Sequence, residues 1–374
     1  MWSALMIRRL MLIALSATIH ALTPPIPLRK PAAIAALRGG HTALTAAGPS
    51  PTPQEVLAPH LAEGAVGFEQ IATIPRPGSQ GLGMIQFSPD DKYVTYLGSL
   101  DATSLTRQLY AFDRTTGVAT QVIDPSAESG AEGSFSREEE LRRERARIMS
   151  TGITYYQWAA RAERLLVPMD GALFVMDGVA PGVAPPRRLF DPADPRWGAV
   201  GSGPLLDPKL SADGRRVFFV WADEVCTCEV TDAADAAVPV RLTVGARGEG
   251  KSNGVADYCA QEEMDRYTGY WPSADGAWLA FEEVDERHIA PFQIARHEAD
   301  PHQVEDFRYP FAGDPNPKVR LGAVEIGGSA EAAAVTWFDL SASFGEDFYL
   351  ARVDWAGDGR SLLAQVGQSG RSVR

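Results

Sequence analysis

Residues 269–285 read GYWPSADGAWLAFEEVD, and the build of this stretch decides the fold. An apolar anchor, Trp271, precedes a short polar turn, Ser273-Ala274-Asp275-Gly276, which feeds an apolar run. Asp and Gly tolerate the positive φ of tight turns, so an Asp-Gly pair between apolar runs signals a hairpin. The unit returns in IQFSPDDKYVTYLG from Ile85, YYQWAARAERLLVPMDGALFVMD from Tyr155, PKLSADGRRVFFVWAD from Pro208 and ARVDWAGDGRSLLAQV from Ala351, with anchors Phe87, Trp158, Leu210 and Trp355. The anchors lie roughly 50 to 85 residues apart, the length of a four-stranded blade with insertions. A β-sandwich also supplies short strands and Asp-Gly turns. The recurrence of the whole unit predicts instead an all-β chain folded as a β-propeller.

One segment breaks the β pattern. SFSREEELRRERARIMSTG, residues 134–152, has the composition of a charged helix, with Ser136 as N-cap and Glu139 three residues on in a capping box. Early acids and late arginines suit the helix dipole. The pairs Glu138–Arg142, Glu139–Arg143 and Glu144–Arg147 stand at spacings that allow ion pairing. Taken alone, it is a solvated helix inserted in a loop.

Charge narrows the partners. The chain of 374 residues has a net charge of −13, yet its first 54 residues carry Arg8, Arg9, Arg29, Lys30 and Arg38 and no acid, so the body stands at −18. Such a surface repels a phosphate backbone and draws cationic groups, which argues against nucleic acid and admits peptide amines. The start, IRRLMLIALSATIHA, has the basic flank and apolar core of a signal peptide, and the Ala- and Pro-rich stretch behind it resembles a transit peptide or linker. Residues 1–64 are therefore read as a leader for the secretory route, secreted or organelle-targeted, and 65–374 as the propeller. The three cysteines, Cys226, Cys228 and Cys259, fit no recurring metal pattern. On a strand, Cys226 and Cys228 share a face as small buried thiols. Neither a metal nor a cofactor is expected.

Four stretches carry more than a pattern. SREEELRRERARIMSTGITYYQW from Ser136, NGVADYCAQEEMDRYTGYWPSADGAWLAFEEVDE from Asn253, FRYPFAGDPNPKVRLGAVEI from Phe307 and FYLARVDWAGDGRSLLAQ from Phe348 resemble, in order, the amino-terminal propeller of the dipeptidyl peptidase IV family of serine peptidases, in the prolyl oligopeptidase clan. The resemblance covers roughly residues 65–366. It implies an eight-bladed propeller over an α/β-hydrolase domain, in an enzyme that removes dipeptides from peptide amino termini and prefers Pro or Ala second. It makes Glu262 and Glu263 the pair that holds the substrate ammonium. The arginine that orients the first carbonyl is then Arg147, by its spacing to GITYY, with Arg145 as runner-up. A homodimer is compatible with the family.

The chemistry of the pair stands beside the resemblance. A peptide α-amino group, with a pKa of roughly 8, is largely protonated at neutral pH and offers three donors to carboxylates. Neighbours on a regular strand point to opposite faces, so both glutamates reach one ammonium only from a helical turn or kink. AQEEMDRY is helix-compatible.

Departures from the family matter too. Where it usually has two tryptophans, this chain has Trp271 and Pro272, and a proline cannot donate to a ladder, so that strand should be irregular or at an edge. The family's nucleophile lies in a Gly-x-Ser-x-Gly elbow. VGQSGRSVR and IGGSAEA have the wrong spacing, and no catalytic residue is assigned. The expectation is an incomplete propeller, about five of eight blades with an inserted charged helix, that binds substrate without the hydrolase domain. The alternatives are a stand-alone binding or scaffold propeller and a five-bladed carbohydrate-active one; the matched motifs give the latter no support.

Overall fold

The computed structural model describes residues 11–15, 72, 81–99, 104–125, 137–233, 237–295, 304–327 and 334–368. The chain divides into two compact units, Thr18–Ser79 and a larger one of Met1–Ala17 with Gln80–Arg374, and the architecture below is that of the larger. The leader expected over 1–64 lies outside the described residues except for Met11–Leu15. The proposed N-cap, Ser136, lies outside them as well.

Among the described residues, five of the six sheets follow one another along the chain as blades, and the sixth is a two-stranded hairpin. Blade 1 is a meander of Gly83–Phe87, Tyr93–Ser99, Thr106–Asp113 and Ala119–Ile123. Blade 2 is Gln157–Trp158, Leu165–Met169, Ala172–Met176 and Arg187–Phe190. Blade 3 is Leu205–Leu210, Arg216–Trp221, Glu224–Glu229 and Val240–Arg241. In blade 4, Lys251–Asn253 and Tyr270–Pro272 both pair with Trp278–Asp285, which is followed across the sheet by Lys318–Glu325 and Thr336–Phe338. Blade 5 pairs Phe348–Trp355 with Leu362–Gln368, against which Met11–Leu15 also lies. The fold is the propeller that the repeat predicts.

The repeated turn has one chemical cause. Ser88, Ser211 and Ser273 each donate from Oγ to the aspartate two residues on, at 2.7, 2.6 and 2.6 Å. The same hydroxyls accept the backbone N–H of Tyr93, Arg216 and Trp278, all at 2.9 Å. Each serine therefore ties the anchor strand to the next one. The chain reverses through positive φ at Asp91, Gly214 and Gly276, where Asp or Gly carries little strain.

The core sits between blades. In Arg216–Trp221, Val217, Phe219 and Trp221 pack toward blade 2, whereas Phe218 and Val220 pack toward blade 4. Side chains alternate across a strand, so covering both faces demands the unbroken apolar run VFFVW. The junction of blades 1 and 2 is filled by Leu97, Leu109, Tyr156 and Trp158, and that of blades 4 and 5 by Leu321, Leu350 and Leu362. Cys226 and Cys228 are buried free thiols on one strand, and burial pushes both up to about 12.

Two sequence readings need adjustment. Phe87, taken as an anchor, is 57% exposed on blade 1 beneath the guanidinium of Arg114, because the face it occupies has no blade against it among the described residues. The charged helix, here α1, is shorter than its composition suggests, spanning Arg137–Arg145. It is also docked rather than solvated: Arg143 is buried and donates to the backbone oxygen of Ser150, and burial raises Glu139, whose recorded ion pair is with Arg142 at 3.4 Å.

Candidate functional site

The paired glutamates lie on a detour in the inner strand of blade 4. Lys251–Asn253 runs antiparallel to the end of Trp278–Asp285, leaves the sheet, and returns as Tyr270–Pro272 against the start of the same strand. Between the two halves lies helix α2, Tyr258–Met264. Its N-cap is Asp257, whose carboxylate accepts the N–H groups of Cys259 and Ala260 at 2.8 and 3.2 Å, and its C-cap Asp265 is left-handed at φ 50°. Glu262 and Glu263 occupy the last turn of α2, so the pair stands on a helical turn and not on a strand. Pro272 falls at the edge end of its half-strand, where no ladder donor is needed.

The neck of the detour is tight. A Cβ on Gly269 would lie 2.5 Å from the backbone of Gly254, and one on Gly254 would lie 2.4 Å from Val225. Gly254 also has φ 80°, so this crossing demands glycine on both counts. Below the neck, Arg266 forks onto Glu282 at 3.0 and 2.8 Å. It also donates to the backbone oxygens of Thr268 and, in blade 5, Leu350. Glu282 in turn accepts the N–H of Asp257 at 3.2 Å, which places the start of α2. Burial pushes the Glu282 carboxyl above the usual carboxylate range, and Arg266 is the chief force holding it down.

Helix α1 meets α2 through Arg145. The Arg145 Nε lies 3.4 Å from Oε1 of Glu262, and Nη1 donates to Oε1 of Gln261 at 3.0 Å. The guanidinium carbon stands 5.1 Å from the Tyr258 ring centre and 5.7 Å from that of Phe307. Nη2 has no acceptor among the described residues. Arg147, the arginine that spacing favours, also lines the cleft, but no described residue holds its guanidinium and its backbone is left-handed at φ 54°. Glu263 is exposed, is not part of the cleft lining, and has no partner among the described residues.

The cleft has a volume of about 540 Å³ and is open to solvent. Its acidic and basic groups are Glu262, Glu144, Arg145 and Arg147. Its apolar wall comes from Tyr258, Tyr309, Phe311 and Phe292, each ring edge-on to the next at centroid distances of 4.9, 5.5 and 5.3 Å. Phe292 belongs to the hairpin of Pro291–Ala295 and Val304–Arg308. The sequence reading missed this wall and Gln261; the aromatic cluster FRYPF, residues 307–311, was the available signal.

A Gly-x-Ser-x-Gly pentapeptide that the sequence reading passed over does occur, GKSNG at 250–254. It is no nucleophile elbow. Such an elbow needs a sharp strand-to-helix turn at the serine, whereas Ser252 sits inside an antiparallel ladder opposite Val284. Among the described residues no cluster of His, Cys, Asp and Glu could hold a metal ion.

Residues 187–368 match the family described as the dipeptidyl peptidase IV (DPP IV) N-terminal region. Dipeptidyl peptidase 8 of Homo sapiens is 28% identical over 252 residues, 61% of this chain and 27% of that protein. Inactive dipeptidyl peptidase 10 of Rattus norvegicus is 27% identical over 126 residues, 33% of this chain and 16% of that protein. The chain thus spans about a quarter or less of the length of these relatives. The crystal structure of Porphyromonas gingivalis dipeptidyl peptidase 4 superposes with a TM-score of 0.52 at 18% identity, over 80% of this chain and 38% of that one, a likeness of fold. By matched sequence, residues 187–368 carry the dipeptidyl peptidase IV N-terminal region, and the likeness of fold extends over 80% of the chain.

Proposed function

We propose that this propeller recognises the free amino terminus of a peptide for a serine exopeptidase of its family, one that releases amino-terminal dipeptides. The observation that carries the reading is the convergence on one cleft of the Glu262 carboxylate and an arginine, Arg145, whose Nη2 still has a hydrogen to give. Glu263 stands one residue further along the same helical turn. Two carboxylates satisfy an ammonium through charge-assisted bonds, and a guanidinium fork suits the first carbonyl oxygen. Arg145 fits that role better than Arg147, because its side chain is held while that of Arg147 must be ordered by the ligand at an entropic cost. The aromatic wall suits an apolar first side chain. Acyl transfer needs a nucleophile, a base and an oxyanion hole, and in this reading an α/β-hydrolase domain supplies them.

A second reading is a binding propeller without peptidase activity. The similarity to a relative named inactive dipeptidyl peptidase 10 and the ladder position of Ser252 favour it. Both readings need the amine site. Titrating the chain with L-alanyl-L-proline amide and with its N-acetyl form tests that shared step. Loss of the ammonium from a desolvated charge pair costs roughly 2–5 kcal/mol, so the acetylated probe should bind at least ~30-fold more weakly. Equal affinities would refute the amine site. The leader is carried into the proposal as a secretory signal, which amino-terminal sequencing of the mature protein checks.

A further inference from the structure

We infer that Gln261, with Tyr267 behind it, is the positioning residue that aims Arg145 at the ligand; the inference rests on the amine-site reading. Gln261 is 7% exposed, and both ends of its amide are used. Its Nε2 donates to the backbone oxygen of Ala256 at 2.7 Å, which turns Oε1 toward Arg145, where it accepts from Nη1 at 3.0 Å. An amide has one donating and one accepting end, so the bond to Ala256 settles which end the guanidinium meets. Tyr267 secures the other end of the arginine: its hydroxyl donates to the Arg145 backbone oxygen at 3.0 Å.

The guanidinium is planar and its donors lie in a rigid fork. With Nε near Glu262 and Nη1 on Gln261, the plane of the fork is determined, and Nη2 is left without an acceptor among the described residues. The rings of Tyr258 and Phe307 limit its remaining movement. Glu262 alone could not do this, since one ion pair at 3.4 Å leaves the arginine free to swivel and to cover both carboxylate oxygens. Gln261 draws the arginine off the glutamate it would otherwise neutralise. The residue just before the glutamate pair thus keeps the ammonium receptor and the carbonyl donor apart. All of these groups except Phe307 and Arg145 itself come from the single detour of blade 4, so one loop carries the receptor and its aiming device.

The test compares three probes on the full chain: L-alanyl-L-proline amide, its N-acetyl form, and the alkene isostere in which a carbon–carbon double bond replaces the first amide. The isostere keeps the ammonium and loses the carbonyl. Wild type should bind the amide about tenfold more tightly than the isostere, as expected for one hydrogen bond to a charged donor. In Gln261→Met this ratio should fall below about threefold, while the preference for free over acetylated amine persists. Gln261→Glu also loses the bond to Ala256 but keeps an acceptor for Arg145, so it should retain the wild-type ratio. Tyr267→Phe should lower the ratio by about threefold and gives an independent reading if Gln261→Met fails to fold. A wild-type ratio in Gln261→Met or in Tyr267→Phe, or a ratio lost equally in Gln261→Glu, overturns the inference. If wild type does not distinguish free from acetylated amine, the amine site itself fails and the inference falls with it.

Discussion

Replacing Arg266 with Met removes the ion pair that seats the glutamate-bearing detour, and the structure sets the size of the effect. The side chain is almost inaccessible, forks onto a Glu282 that is 0% exposed, and bonds to two backbone oxygens, one of them in blade 5. Removing one partner of a buried pair costs roughly 3–5 kcal/mol. Glu282 moderates the loss, since without Arg266 burial acts on it unopposed and it takes up a proton instead of remaining a lone charge. The lower end of the range, about 3 kcal/mol, is therefore expected near pH 7, a fall of roughly 4 °C in melting temperature.

The proton sets the pH dependence. A carboxyl whose folded pKa is raised binds more protons folded than unfolded, so its contribution is fully present below the unfolded value of about 4.3 and is lost as pH rises toward the folded one. The deficit of Arg266→Met should accordingly be smaller at pH 5 than at pH 8. Adding Glu282→Gln should recover much of it at pH 8, because the uncompensated acid is then gone. Urea denaturation of wild type, both single variants and the double variant at the two pH values gives the full cycle. A deficit under about 1 kcal/mol, or one that does not change with pH, would refute the reasoning.

Other expectations can be checked separately. Glu262→Gln and Glu263→Gln should each weaken binding of a free-amine dipeptide amide by roughly 2 kcal/mol or more in calorimetry, and Arg147→Ala should do less. Glu224 is buried and accepts from Thr243, Asn253 and the N–H of Ala246 at 2.7, 2.9 and 2.7 Å, so Glu224→Gln confronts a donor with donors and should cost about 2–3 kcal/mol in denaturation. Burial and the nearby Glu138 and Glu224 hold Asp223 up to about 6, so wild type should lose stability as pH rises from about 4 to 6. Asp223→Asn, which keeps the left-handed turn, should remove about 1 kcal/mol of that loss once partial exposure is allowed for, seen as a flatter melting curve against pH.

The blades were legible because their cause is local. A Ser-x-Asp turn with a residue at positive φ and an apolar strand on either side needs only a dozen residues to specify, and the chain repeats it. The helical seat of Glu262 and Glu263 was legible too, since two adjacent side chains converge only on a turn. The detour was not, because it depends on the approach of Gly254 to Gly269, fifteen residues apart. The choice between Arg145 and Arg147 was hidden for a similar reason. Both arginines line the cleft, but Arg145 closes α1 where Gln261 and Glu262 hold it, whereas Arg147 lies past the helix end on a left-handed backbone with no described residue on its guanidinium. Gln261 looked like one more polar helix residue, and its partner lies 116 positions away in sequence.

The central claim, that this propeller holds a peptide by its amino terminus, is tested most directly by a crystal structure of the chain with L-alanyl-L-proline amide bound. The account predicts the ammonium nitrogen within about 3.2 Å of both Glu262 and Glu263 carboxylates and the first carbonyl oxygen within the same reach of the Arg145 guanidinium. A dipeptide bound elsewhere, or one lying in this cleft with its ammonium turned to solvent, would contradict it.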